Sequence, residues 1–334
     1  MDFAEYLTRN SHRFDDYLAS FFESVDDSDM QRYLYQPLAR FTANAGKRHR
    51  PLICVLACRA VGGNGEEARS SAAAIEHFHN AALIHDDIAD ESLTRRGEPC
   101  MHIAEGEGLA INAGDLALTL VIATPLRDET LPDDRKLRVI DELVKMNEQT
   151  IDGQALDIGW ARDDRFDLTV DDYLKMATYK TAYYSGAVPL AIGAICGGGT
   201  EEQIEALRAF GLSTGLAFQI QDDLLNLIGE AEATRKDFRS DITEGKRTYM
   251  AIHSLNHSKD TQEFHRILTA HTEDPEQLAR AVEIMREAGS IDEAREYAKK
   301  LTSEAIELIR PALPESEAKQ LLLSMAEFFI DRLN

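Results

Sequence analysis

The chain has 334 residues, 59 of them acidic against 36 lysines and arginines, for a net charge of −23 with histidine neutral. That length can bury one large core or two ordinary ones, and 44% hydrophobic residues argue against disorder. The charge excludes a nucleic-acid binder, whose partner demands a basic face, and disfavours an anionic membrane surface.

Helical periodicity and start signals recur along the chain, and no run of alternating β-branched residues reads as a strand. The amino terminus lacks the basic-then-apolar pattern of a signal peptide. Pro51 opens a helix that stops near Gly62-Gly63-Asn64-Gly65. A long helix follows over 66–90, then a loop over 91–108, then helices over 109–126 and 133–162. Thr169-Val170-Asp171-Asp172 starts a helix running toward Ile195, which Pro189 should kink. The most apolar run, Ala187 to Cys196, is too short to span a bilayer, so no membrane span is expected. Thr200-Glu201-Glu202-Gln203 is a capping box. A polar loop follows Gly229 as far as Lys246, and shorter helices stop at Gly289 and at Pro311 to Pro314. Four cysteines in so long a chain form no disulfide framework. The expectation is an all-α, cytoplasmic protein with one domain over residues 1–334.

Two acidic helix faces interrupt this apolar pattern. Asp86 and Asp90 lie one turn apart on one face, with Asp87 beside them; Asp222 and Asn226 repeat the spacing, with Asp223 beside them. Stacked like charges destabilise a bare helix, so each face calls for a cation. Oxygen ligands without a histidine–cysteine set favour Mg²⁺ over zinc. Against this acidic background the basic clusters stand out: Gly46-Lys47-Arg48-His49-Arg50-Pro51, Arg95-Arg96-Gly97, Lys180-Thr181 and Lys246-Arg247. Arginine forks grip phosphates bidentately and lysine adds point charge. Acid clusters that hold metal, facing bases without metal, describe two separate polyanion sites.

These segments resemble those of the trans-isoprenyl diphosphate synthases, the geranylgeranyl and farnesyl diphosphate synthase family. The likeness runs across nearly the whole chain. It is carried by Gly46 to Pro51, by Glu76-x-x-His79 with Asp86-Asp87-x-x-Asp90, and by Arg95-Arg96-Gly97-x-Pro99. Gly153-Gln154-x-x-Asp157, Lys180-Thr181, Phe218-Gln219-x-x-Asp222-Asp223 and the segment Lys236 to Lys246 complete it in order. The resemblance implies a helical bundle around a central cavity, in a homodimer. It implies that Lys47, Arg50, His79 and Arg96 hold the diphosphate of isopentenyl diphosphate. Arg95, Lys180 and Lys246 then serve the allylic diphosphate, and Lys236 is a further substrate-binding residue. Asp86, Asp90 and Asp222 ligate Mg²⁺, three ions in the closed, substrate-bound state, with Asp87 and Asp223 in support. Gln219 and Thr181 lie near the developing cation.

The implied reaction ionises an allylic diphosphate, and the double bond of isopentenyl diphosphate attacks the cation. Proton loss completes the step. Departures from the family pattern are Asn226 for an aspartate, Arg235 and Arg239 for loop glycines, and Cys100 for a threonine. Asn226 still offers one neutral oxygen, and the arginines give up glycine's conformational freedom. By the same resemblance the growing chain runs from Asp86 back along its helix past Ala81 and Ala82, where short-chain members carry bulky aromatics. Phe78 is the next bulky residue on that face. The expected products are all-trans and longer than farnesyl, most simply geranylgeranyl diphosphate, with a polyprenyl product of twenty-five carbons or more as the alternative. A terpene cyclase would not need the second diphosphate site, and a non-catalytic subunit would not keep both acidic faces.

Overall fold

The computed structural model describes residues 1–23, 26–44, 46–229 and 238–331, the last three of these for their backbone alone. It is helical throughout, apart from a two-residue antiparallel hairpin in which Thr94–Arg95 pairs with Glu98–Pro99. The contacts group into two compact units: 1–147 with 188–207 and 312–325, and 148–187 with 208–311 and 326–334.

In the first unit the helix Arg69–Ala89 packs along the helix Glu107–Leu126. Their facing residues are small, Ala81 on one side and Ala110, Ala113 and Ala117 on the other, all nearly or fully buried. Small side chains let two helix backbones approach closely. Glu107–Leu126 is also long and apolar enough, by length and composition, to cross a bilayer, a helix that the sequence reading passed over in favour of the shorter run Ala187 to Cys196. Its buried stripe lies against protein, with Glu107 and Asp115 on its outer side. Helix His49–Ala60 packs in turn on Val188–Cys196. The sequence reading left residues 1–45 unassigned; they contribute helices including Phe3–Asn10 and Gln36–Ala43.

The expected kink at Pro189 is a wide helical turn instead. Between the helices Val170–Ala177 and Val188–Cys196 the backbone is π-helical over Thr178–Ala187. Proline lacks an N–H and its ring crowds the carbonyl four residues back, which the wider turn accommodates. Lys180 and Thr181 stand on that irregular turn. The Thr169–Asp172 and Thr200–Gln203 capping boxes both form. The core of the second unit gathers Trp160, Tyr173, Ile220, Leu224, Tyr249 and Phe264.

His77 is buried in the first unit between the edges of the Phe21 and Phe22 rings, at 4.8 and 6.1 Å. Neither ring nitrogen has a hydrogen-bond partner among the described residues. Burial keeps the imidazole neutral and lowers its pKa to about 3. An unfolded histidine titrates near 6.5. The folded value is depressed, so this stability is complete above about pH 6.5 and is lost as pH falls toward 3. Its loss should reach about 1.4 kcal/mol per pH unit within that window. Melting curves from pH 7 to pH 5 should show a shallower fall for His77→Phe than for the wild type; equal slopes would count against a neutral buried ring.

Candidate active site

In the first unit the last turn of Arg69–Ala89 presents Asp86, with Asp90 as its C-terminal cap one turn on. The Asp86 side chain is 28% exposed, whereas Asp87 is buried. The hairpin explains the difference. Arg95 Nε donates to both Asp87 oxygens at 2.7 and 2.8 Å, and its Nη2 lies 4.0 Å from Asp86 Oδ2. Burial weakens the Arg95 charge, but the hydrogen bond and charge of Asp87 outweigh it and raise the pKa. Arg95 therefore anchors Asp87 while lying at the edge of the acidic face.

Behind this face lies a cluster of cations. His79 is buried, and its pKa sits well below the ordinary value, first by desolvation and then by the charges of Arg50, His49, Arg96 and Arg95. Arg96 is likewise lowered by burial, and by Arg95, Arg48 and Arg50, against a pull from Glu76. The charges of three guanidiniums, those of Arg50, Arg95 and Arg96, thus bear on one neutral imidazole. Such a cluster is repulsive unless it receives a polyanion. Arg96 Nη1 donates to the Asn44 carbonyl at 3.0 Å, while Lys47 is exposed. Arg48, in the densest basic segment, has a different task. It is buried, with Nη1 2.7 Å from Glu76 Oε1, Nε 3.0 Å from Asp15 Oδ1, and Nη2 donating to the Thr42 carbonyl. Glu76 of the Glu76-x-x-His79 pattern thus ties down the residue that precedes the helix His49–Ala60, on whose first turn Arg50 stands. A cavity of about 440 Å³ opens beside Arg95 and Arg96.

In the second unit Gln219 Nε2 and the Tyr173 hydroxyl each donate to Asp223 at 2.7 Å. Asp222 remains partly exposed on the same helix, Glu201–Ile228. Lys180 is paired with Asp157, and Lys246 lies 2.5 Å from Glu244 and 3.9 Å from Asp241. Gly153 makes the Lys180 pairing possible: a Cβ there would sit 2.2 Å from the Lys180 backbone nitrogen. Burial first, then the neighbouring carboxylates, pushes Asp223 and Asp241 up to about 7, with the lysine opposing at Asp241. Asp157 stays below its ordinary value because Lys180 and Lys246 overcome its desolvation. Asp157, Lys180, Thr181, Gln219, Asp223 and Lys246 all line one cavity of about 80 Å³.

Two departures are resolved by the fold. Asn226 is tied to the residues that follow in the fold: its Nδ2 donates to Ser240 Oγ at 3.0 Å and its Oδ1 accepts from the Asp241 amide at 3.3 Å. Its carboxamide holds the start of the helix Ser240–Thr243. Arg239 takes the left-handed backbone of a glycine, with φ 63°, at a cost of roughly 1–2 kcal/mol. Its guanidinium lies over the Phe238 ring, 4.5 Å from the centroid. Arg235 and Lys236 fall outside the described residues.

The remaining candidates take packing roles or stay open. Cys54 and Cys58 are buried, and desolvation pushes the Cys58 thiol up to about 12. His85 Nε2 lies 3.7 Å from Asp115 Oδ1. Ala81 is enclosed by Phe22, Leu38 and the Glu107–Leu126 helix, Phe78 is buried, and Ala82, one turn before Asp86, is half-buried. The sequence reading missed the Arg48–Glu76 tie, the Tyr173 hydrogen bond and the burial of Asp241. Glu76 offered a signal, being the one acid that precedes His79 on an apolar face; Tyr173 offered none.

The carboxylates suit a hard divalent cation. Among the described residues no group of three or more His, Cys, Asp or Glu side chains is placed to hold a metal unaided. Mg²⁺ binds in this manner, through one or two carboxylates, with water and substrate phosphate completing its shell.

Helices carrying carboxylate faces beside buried guanidiniums define an enzyme of diphosphate chemistry. The frame is the isoprenoid synthase fold: a crystal structure of geranylgeranyl pyrophosphate synthetase from Pyrococcus horikoshii superposes with a TM-score of 0.90, at 33% identity over 98% of each chain. The polyprenyl synthetase family model matches residues 31–285, and the chain belongs to that family. It is 36% identical over 93% of its length to a short chain isoprenyl diphosphate synthase of Methanothermobacter thermautotrophicus, 93% of which is covered. It is 35% identical over 88% of its length to a geranylfarnesyl diphosphate synthase of Natronomonas pharaonis, 89% of which is covered. The chain is accordingly a trans-prenyltransferase that condenses isopentenyl diphosphate with allylic diphosphates.

Proposed function

We propose that the enzyme makes geranylgeranyl diphosphate, with a twenty-five-carbon product as the second reading. The half-buried Ala82, one turn before Asp86, carries this proposal. An alanine there leaves room for a chain growing away from the metal face, and one turn of about 5.4 Å is comparable to one isoprene unit. Phe78, a further turn along, is the proposed floor. The twenty-five-carbon reading draws on the geranylfarnesyl synthase among the relatives.

The roles follow from the chemistry of each residue. Lys47, Arg50, His79 and Arg96 hold the diphosphate of isopentenyl diphosphate, with His79 neutral and so able to donate one N–H and no charge. Asp86, Asp90 and Asp222 would hold Mg²⁺, three ions in the loaded state, which neutralise the departing diphosphate. Arg95, Lys180 and Lys246 place fixed positive charge where the leaving oxygens develop theirs, which lowers the barrier directly, and Lys236 is proposed as a further substrate-binding residue. The Asp157 carboxylate orients Lys180; Tyr173 and Gln219 orient Asp223. Thr181 and Gln219 flank the cation, and the apolar walls exclude the water that would trap it. The proton lost after condensation goes to the released diphosphate. On this reading the two units form one catalytic domain over 1–334. The acidic composition and four free, buried cysteines support a cytoplasmic location.

A homodimer is proposed on the helix Asp133–Arg162. Leu137, Val144, Ile151 and Ile158 repeat every seven residues on it and are 40 to 68% exposed. An apolar heptad stripe is the pattern of a helix that packs on a partner helix. Ile151→Asp should convert a dimer to a monomer in light scattering; a monomeric wild type would refute the proposal.

Product length is tested by reversed-phase separation of the phosphatase-treated alcohols. Phe78→Ala should lengthen the main product by one or more isoprene units, and Ala82→Phe should shorten it. Ala82 is the better site for an aromatic than the enclosed Ala81, where overpacking costs about 1–3 kcal/mol. An unchanged distribution in a stable Phe78→Ala enzyme would move the floor to the facing helix around Leu118 and Ile122.

A further inference from the structure

The first unit holds another cavity, of about 300 Å³, at the low end of the size range of small-molecule sites. Its floor is apolar and buried, made by Phe14, Leu52, Val55 and the ring of Tyr6. Its rim carries Arg13, Arg59 and Arg69 against one acid, Glu66. Three arginines around one cavity stand out in a chain of net charge −23. Arg69 lies 3.8 Å from Glu66, with its guanidinium over the Tyr17 ring at 4.4 Å. Arg13 and Arg59 form no ion pair among the described residues.

The Arg59 side chain is held in place. Its Nε donates to the Asn64 carbonyl at 3.1 Å, and it lies over Gly65, whose φ is +96°. A Cβ at Gly65 would sit 2.7 Å from Arg59 Nε and 3.0 Å from Val55 Cγ1, so the turn leaves room for the guanidinium and nothing more. Tyr6 is 4% exposed, and its hydroxyl makes no hydrogen bond among the described residues, although the charges of Arg59 and Arg13 act on it. A hydroxyl donor on a largely buried ring, two guanidiniums without an ion pair among the described residues and an apolar floor are complementary to an anionic amphiphile. Arg50 and Arg59 are nine residues apart on the helix His49–Ala60, or about 14 Å along its axis. The cavity is therefore separate from the cation cluster around His79.

We propose that this cavity is a second anion site, which takes a phosphate- or diphosphate-bearing ligand with a short apolar group. Arg13 and Arg59 grip the phosphate oxygens, Tyr6 donates its hydroxyl, and Leu52 and Val55 receive the apolar part. The diphosphate could come from the inorganic product or from a prenyl chain. Isothermal titration without Mg²⁺ separates these sources, using inorganic diphosphate in one arm and octyl diphosphate, which cannot ionise to an allylic cation, in the other. Binding of octyl diphosphate should persist in Arg50→Ala and weaken at least tenfold in Arg13→Ala/Arg59→Ala, whose turnover without added ligand should match the wild type. Equal affinity in the two arms assigns the headgroup alone; tighter octyl diphosphate assigns the apolar floor as well. Binding unchanged within twofold in the double variant would overturn the proposal. If the double variant melts early, Arg13→Gln on the exposed rim decides, with a threefold or greater loss expected and no loss contradicting the site.

Discussion

Asp86→Ala is expected to lower kcat by on the order of 10³-fold, with the fold intact. The position is the last turn of a helix whose packing depends on residues farther back, and the side chain is partly exposed. Its removal leaves no cavity. What it removes is one of two carboxylates, a turn apart, that would hold the metal neutralising the leaving diphosphate. Asp87→Ala differs in kind, because it leaves Arg95 without its buried partner and should reduce stability as well as rate. Asp222→Ala should match Asp86→Ala in rate and in melting behaviour. Steady-state rates at matched Mg²⁺, with a thermal melt of each variant, check this; near-normal turnover in Asp86→Ala would remove the residue from the metal site.

Arg50→Ala should have the next largest effect and a different signature. Arg50 is buried, and its charge acts on His79 and Arg96. Losing one partner of a buried, hydrogen-bonded charge pair costs about 2–5 kcal/mol. The loss should appear as a drop on the order of 10²-fold in kcat/KM for isopentenyl diphosphate. Affinity for the allylic diphosphate should change little. Titration of each substrate with the other saturating distinguishes the two, and the reverse pattern would argue against separate diphosphate sites.

Much of this was legible in the sequence because spacing alone fixes it. Asp86 and Asp90 share a helix face wherever the helix lies, and the Asp133–Arg162 helix is found at the bounds that its pattern gives. Other features depend on contacts between distant segments. Arg48 carries no role of its own in the sequence, and only the approach of Asp15 and Glu76 shows that it anchors the chain. The hydrogen bonds that join Asn226 to Ser240 and Asp241 are equally invisible in the spacing. The hairpin that delivers Arg95 to Asp87 spans two residues per strand, too few to show any periodicity. Gly153 gives no hint by itself of why it must be small; only the approach of Lys180 does so.

The central claim is a two-substrate condensation that uses one allylic and one homoallylic diphosphate. Its most direct test is product analysis of the purified protein with Mg²⁺, radiolabelled isopentenyl diphosphate and farnesyl diphosphate. The account predicts incorporation of label into an all-trans alcohol of twenty carbons, accompanied by release of one diphosphate per condensation, and no consumption of farnesyl diphosphate when isopentenyl diphosphate is withheld. Consumption of farnesyl diphosphate alone, to a hydrocarbon without label, would contradict it.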